Sequence, residues 1–215
     1  MSRPVDVVLF DFGGVFTVSP FAAVEGMARD LGYAIEPFAE AMFGAYHLDT
    51  EHPWHQLERG EITFEQARDA IMALGREMDM PIDPVDLLMR MAGGNLVHEA
   101  MVQTLRDIKA AGYATAIITN NVKEFREGWR SLIPVDTLID RVFDSSELGM
   151  RKPNPAIFQH ALREMGVTDP SRAVFLDDVP QNVQSAADLG LHGIHVEDDP
   201  HSAIQTLRQL LHLPA

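Results

Sequence analysis

Short β-branched, apolar runs alternate with amphipathic stretches over much of this chain, and that alternation restricts its fold more than any other feature. "VDVVLF" (5–10), "ATAIIT" (114–119) and "AVFL" (173–176) read as strands buried on both faces. Helical segments lie at about 97–111, from near Val122, and in "PAIFQHALREMG", "NVQSAADLG" and "HSAIQTLRQLL". "RVFDSS" and "HGIHV" supply two further short strands. This rhythm predicts an α/β fold, a doubly wound parallel sheet with helices on both faces.

One segment breaks the rhythm. From about 20 to 92 the pattern is helical throughout. "PFAAVEGMARDLG" opens on Pro20 and stops at a glycine. Thr63 stands as an N-cap before Phe64, Ala67, Ile71 and Leu74 at helical spacing, and Asp83 with Pro84 opens another helix. The expected organisation is a core domain of residues 1–17 and 96–215, with a helical cap domain, 18–95, inserted between its halves. "TVSP" and "AGGN" mark the crossings, and Gly93–Gly94 reads as a hinge or a helix end.

Charge narrows the partners. Seventeen basic and thirty-two acidic side chains give a net charge of −15. Such a field repels nucleic acid and anionic membranes, so any anion site must be made locally by a metal ion, a lysine or helix N-termini. Cysteine is absent, which excludes disulfides, thiolate metal sites and a thiol nucleophile. No apolar run is long enough for a bilayer, and "MSRPVD" does not resemble a signal peptide. A cytoplasmic monomer or homodimer is the expectation. The methionines of "DLLMRMAGG" read as core packing.

In open parallel sheets, ligands bind beyond the carboxyl ends of the strands. Asp11 follows the first strand, Thr119 and Asn120 follow the second, and Asp177 with Asp178 follows "AVFL". Lys152, in "GMRKPNPAIF", precedes a helix and is within reach of the same edge. Any one of these residues alone is as well explained as a helix cap. Together they make chemical sense. Asp11 and Asp178 are hard oxygen ligands suited to Mg²⁺, which shares its shell with water and a substrate phosphate. Asp11 is then a nucleophile toward phosphorus, with Thr119, the Asn120 backbone N–H and Lys152 holding the phosphoryl charge.

"FDFGGVF", "IITN", "GMRKPNPAIF" and "VFLDD", in this order, resemble the four motifs of the haloacid dehalogenase superfamily. The insert after the first motif is similar to that superfamily's type 1 helical cap. "GEIT", "AIITN" and "AVFLDDVPQN…AADLG" resemble the amino-terminal phosphatase domain of soluble epoxide hydrolases and their bacterial relatives. The resemblance implies a Rossmann-like core and phosphate-ester hydrolysis through an aspartyl phosphate on Asp11. It implies Mg²⁺ held by Asp11, the Gly13 carbonyl and Asp178. Thr119, Asn120 and Lys152 would bind substrate, Lys152 would steady the nucleophile, and Asp177 would stand behind the metal site.

The chain departs from that pattern at Gly13, where phosphatases of the superfamily usually carry an Asp that protonates the leaving alcohol and then activates water. Its absence removes help typically worth about 10² to 10⁴ in rate. Three readings follow. The first is a phosphatase of small monoesters with good leaving groups, such as anomeric sugar phosphates, or one whose cap supplies a substitute acid. His47, His52 and His55 in "HLDTEHPWH" are candidates for that acid, although a solvated loop around a buried Trp54 explains the segment better. The second is a catalytically weakened metabolite-binding or regulatory protein. The third, a 2-haloacid dehalogenase, is disfavoured by the acidic pair of "FLDD". Substrate identity is expected to reside in the cap.

Overall fold

The computed structural model describes residues 3–92 and 97–214. Its elements, in chain order, begin with β1 (Val7–Phe10) and five helices: α1 (Pro20–Leu31), α2 (Ile35–Phe43), α3 (Pro53–Glu58), α4 (Phe64–Glu77) and α5 (Pro84–Ala92). After α6 (Glu99–Ala110) come β2 (Ala114–Thr119), α7 (Arg126–Arg130), α8 (Val135–Leu138), β3 (Arg141–Asp144) and α9 (Ser145–Leu148). The chain continues through α10 (Pro155–Glu164), β4 (Ala173–Asp177), α11 (Pro180–Asp188), β5 (His192–His195) and α12 (His201–Leu210).

The five strands form one parallel sheet in the order β3-β2-β1-β4-β5. Alternation along β1 divides its side chains between the two faces. Val8 and Phe10 join Met101, Leu105, Leu176 and Leu207 in one apolar cluster. Val7 and Leu9 join Ile118, Ile157, Phe158 and Phe175 in the other. Helices therefore cover both faces, as the doubly wound reading predicts. β1 sits mid-sheet, which explains why all four of its residues are buried.

Helices α1 to α5 pack around a separate apolar cluster that includes Val24, Phe38, Met42, Leu57, Ile71 and Leu87. Their ends follow local chemistry. Ser19 caps α1 ahead of Pro20, and Gly32 closes it at φ +79°. Thr63 and Gln66 form a reciprocal capping box on α4. Two helices differ from the sequence reading. "IEPFAEAMF" forms α2, and "HPWH" starts α3 instead of lying in a solvated loop. The two crossings between insert and sheet run side by side: Thr17 bridges Val97 antiparallel, and the His98 N–H donates to the Phe16 carbonyl at 2.8 Å. Gly93 and Gly94 lie outside the described residues. No described helix is long and apolar enough to cross a membrane.

Candidate active site

The register of the sheet decides what meets at its carboxyl edge. Phe10, Ile117 and Leu176 share one row across β2, β1 and β4. One residue further along, Asp11 stands level with Asp177; one further still come Thr119 and Asp178. The Asp11 N–H extends the ladder by donating to the Leu176 carbonyl at 2.8 Å.

Lys152 enters this edge from the loop between α9 and α10. Its Nζ lies 2.8 Å from Asp11 Oδ1 and donates to Asp177 Oδ2 at 2.6 Å, and the lysine is fully buried. Burial alone would lower the ammonium's pKa, but Asp11 and Asp177 outweigh it and hold the value above the ordinary one. Asp177 is also bound by the Val179 N–H (2.8 Å) and by Asn182 Nδ2, 3.1 Å from each oxygen. It anchors the lysine and leaves Asp11 and Asp178 as the acids free to take a ligand. Asn120 grips the lysine's backbone from the other side: Lys152 N–H donates to its Oδ1 (2.8 Å), and its Nδ2 donates to the Lys152 carbonyl (3.0 Å).

The site holds more negative charge than it neutralises. Asp11, Asp177 and Asp178 place ligand oxygens within 4.8 Å of one another, the one such group of acids or histidines among the described residues. Burial pushes the Asp11 carboxyl up; Lys152 opposes this, while Asp177 and Asp178 add to it. Burial, and then Asp177, pushes Asp178 up to about 6. An all-oxygen set with surplus charge fits a hard divalent cation. The backbone fits as well. Gly14 has φ +73°, and a Cβ there would sit 2.1 Å from the Asp178 carboxyl carbon, so only glycine admits that acid to the site.

Above these groups lies a cavity of about 210 Å³ reaching from Asp11, Gly13, Thr119 and Asp178 into the insert. Its walls are mostly apolar. Phe21, Phe43, Trp54, Leu87, Leu88 and Met91 come from the insert; Val122, Phe125, Trp129 and Leu132 come from the core segment after β2. The apolar walls are therefore divided between insert and core, where the sequence reading placed the determinants of substrate identity in the cap. "FREGWRSL" carries three of the core residues at spacings of four and three, a signal that reads equally as a core-facing helix stripe.

The three cap histidines take other places. His52 Nδ1 accepts from the Trp54 N–H and caps α3. His55 is fully buried, its Nδ1 accepts from the Thr50 N–H at 3.1 Å, and burial, then Arg151, pushes its pKa down to about 3. Neither lines the cavity. Exposed His47 borders a separate open groove beside Asp178. The cap instead brings Tyr46, Trp54 and Glu58 to the cavity as its polar groups. Sequence reasoning missed Tyr46, Glu58, Arg151 and Asn182.

Known proteins place this geometry in context. The family of haloacid dehalogenase-like hydrolases matches residues 5–190. Mouse acyl-CoA dehydrogenase family member 10 is 32% identical across 99% of this chain, which spans 20% of that protein. Sesquiterpene phosphatase astK of Aspergillus oryzae is 29% identical, with 98% of this chain and 99% of the fungal one covered. Rat bifunctional epoxide hydrolase 2 is 27% identical across 95% of this chain, which spans 38% of that enzyme. Among solved structures, a dehalogenase superposes with TM-score 0.68 at 20% identity, covering 98% of this chain and 99% of that one. A HAD family enzyme from Bacteroides thetaiotaomicron, complexed with magnesium and inorganic phosphate, superposes with TM-score 0.61 at 18% identity, covering 91% and 96%. This chain belongs to the haloacid dehalogenase-like hydrolases.

Proposed function

We propose that this protein is a Mg²⁺-dependent phosphatase that hydrolyses monoesters of apolar alcohols through an aspartyl phosphate on Asp11. The observation that carries the reading is the floor of the cavity, where Asp11 lies beside a buried ammonium and near Asp178, under apolar walls.

Asp11 attacks phosphorus in line with the departing alkoxide. The P–O bond to the alcohol breaks, and water then cleaves the aspartyl phosphate to release inorganic phosphate. Lys152 sits against Asp11, where it steadies the nucleophile and the charge on the transferring group. The Thr119 hydroxyl and the Asn120 backbone N–H are placed for the phosphoryl oxygens. Asp11, Asp178 and the Gly13 carbonyl would hold Mg²⁺, which when bound neutralises phosphoryl charge. Gly13 offers no proton to the leaving oxygen, so turnover favours alcohols that leave readily.

The walls bear on the substrate. An apolar lining desolvates a hydrocarbon chain favourably and gives a sugar's hydroxyls few partners. It favours an apolar leaving group over the sugar phosphates suggested by leaving-group chemistry alone. The fungal sesquiterpene phosphatase, matched over nearly its whole length, is named for a substrate of that kind.

The test is turnover of alkyl and prenyl monophosphates, p-nitrophenyl phosphate and hexose phosphates, with Mg²⁺ and with chelator, for the wild type and Asp11→Asn. The expected result is metal-dependent turnover of the apolar and aryl esters, lost in the variant. Silence on every ester with retained phosphate binding would favour a binding or regulatory protein. Halide release from 2-chloropropionate in EDTA would favour a dehalogenase.

A further inference from the structure

Arg151 immediately precedes Lys152 and is fully buried. A guanidinium removed from water needs strong partners, and those of Arg151 lie across the interface in the insert. Its Nε donates to Glu58 Oε2 at 2.8 Å and its Nη1 to the Leu48 carbonyl at 2.6 Å. Its Cζ stands 4.7 Å from the centre of the Tyr46 ring. Glu58, itself 3% exposed, accepts on its other oxygen from the Tyr46 hydroxyl (2.8 Å) and Trp54 Nε1 (2.9 Å). Tyr46 also lies 3.4 Å from the Asn120 amide that grips Lys152.

The loop carrying the ammonium is thus held from the core by Asn120 and by Ser185, whose hydroxyl donates to the Pro153 carbonyl at 2.6 Å, and from the cap by Glu58 and Leu48. We propose that Arg151 is a positioning residue: by plugging into the cap it fixes the loop so that Lys152 stands between Asp11 and Asp177 only while the 46–58 segment is seated. The proposal rests on the reading of Asp11 and Lys152 as the phosphoryl-transfer pair, and adds to it a coupling between cap and ammonium. Stability alone does not explain such a pair, because buried ion pairs exchanged for apolar or neutral groups often leave stability unchanged, whereas stripping one partner strands a charge. Geometry is what the pair supplies.

The experiment compares the wild type with the double variant Arg151→Met/Glu58→Gln, which removes both charges together. Glu58→Asp, which keeps the charge but withdraws it by one carbon, serves as a second variant should the double fail to fold. The expected result is a fall in kcat of about 10²-fold with KM changed by less than about threefold, because a displaced ammonium harms the transition state more than binding. Amide hydrogen exchange at Arg151, Lys152 and Asn154 should quicken about tenfold or more while exchange in β1 stays unchanged. Wild-type kcat in a folded variant, or a loss confined to KM, would overturn the proposal. So would exchange in the loop that does not change. If the wild type turns over no ester, the phosphatase reading fails, and the exchange measurement still decides whether cap and loop are coupled.

Discussion

The floor and the walls of the cavity are built on different principles. Asp11, Thr119, Asn120 and Asp178 all stand within two residues of a strand end, so a parallel sheet of fixed register brings them together with little help from the rest of the chain. The walls come from α1, α2, α3 and α5 and from the segment after β2, whose Val122 and Phe125 pack into the insert's apolar cluster while Trp129 packs into the sheet's. On the proposed reading the chemistry belongs to the floor and the choice of leaving group to the walls. The two should respond differently to mutation.

The largest expected effect is a gain at the floor. A Cβ on Gly13 would lie 3.4 Å from Pro20 Cδ and 3.7 Å from Cγ, ordinary contacts, and the position is not among the left-handed glycines. Space at Cβ therefore does not exclude an acid there. Gly13→Asp should raise steady-state kcat toward the 10²- to 10⁴-fold range of general acid–base catalysis, for alkyl esters through both the departing alkoxide and the attacking water, and for the aryl ester through the water step alone. In the wild type, slow hydrolysis of the aspartyl phosphate should show as a burst of p-nitrophenolate that the variant loses. An unchanged steady-state rate with both esters would mean that proton transfer limits neither step, or that another group already supplies it.

The wall should respond in the opposite sense. Leu88 lines the cavity and lies outside the fully buried core of the insert. Leu88→Ala should lower kcat/KM for apolar esters about tenfold, as expected for removing part of a hydrocarbon contact, and leave p-nitrophenyl phosphate within about twofold. An equal loss with both substrates would show that floor and wall are not separable and would dissolve the comparison.

The same division explains what could be read from the sequence. The floor was legible because it depends on short-range rules: apolar runs define strands, parallel order aligns their ends, and the residue after each run falls at the edge. The walls were not, because their pattern is ambiguous. Phe125, Trp129 and Leu132 have the spacing of an ordinary core-facing stripe, and only the position of the insert opens a cavity against them. Glu58 and Arg151 are 93 residues apart, and each alone reads as a solvated charge. The histidines failed for the converse reason. His55 reads in sequence as a candidate acid or, better, as part of a solvated loop; in the structure it is neither, because burial keeps it neutral and its ring accepts a backbone hydrogen bond.

The smallest effect expected is one of stability, and it separates the wall's support from the floor by pH. Asp83 accepts from Arg68 at both oxygens, at 2.8 and 2.6 Å, and from the Val85 N–H at 2.9 Å, so it pins the first turn of α5 to α4. Arg68 first, against burial and with the Val85 N–H, holds this carboxyl below its ordinary 3.8. A carboxyl lowered by folding contributes its full stabilisation above 3.8 and loses it as pH falls through the still lower folded value. Asp83→Asn, which keeps the helix cap but removes the charge that pairs with Arg68, should therefore reduce unfolding free energy by about 0.5 kcal/mol at neutral pH, the usual worth of a partly exposed ion pair. The gap between the two melting curves should narrow below pH 3.8 and should be unchanged between pH 7 and pH 5. Because α5 supplies Leu87, Leu88 and Met91 to the wall and nothing to the floor, aryl-phosphate turnover at neutral pH should survive the substitution. A gap that stays constant into acid would assign the loss to side-chain shape, since charge could not then be its source.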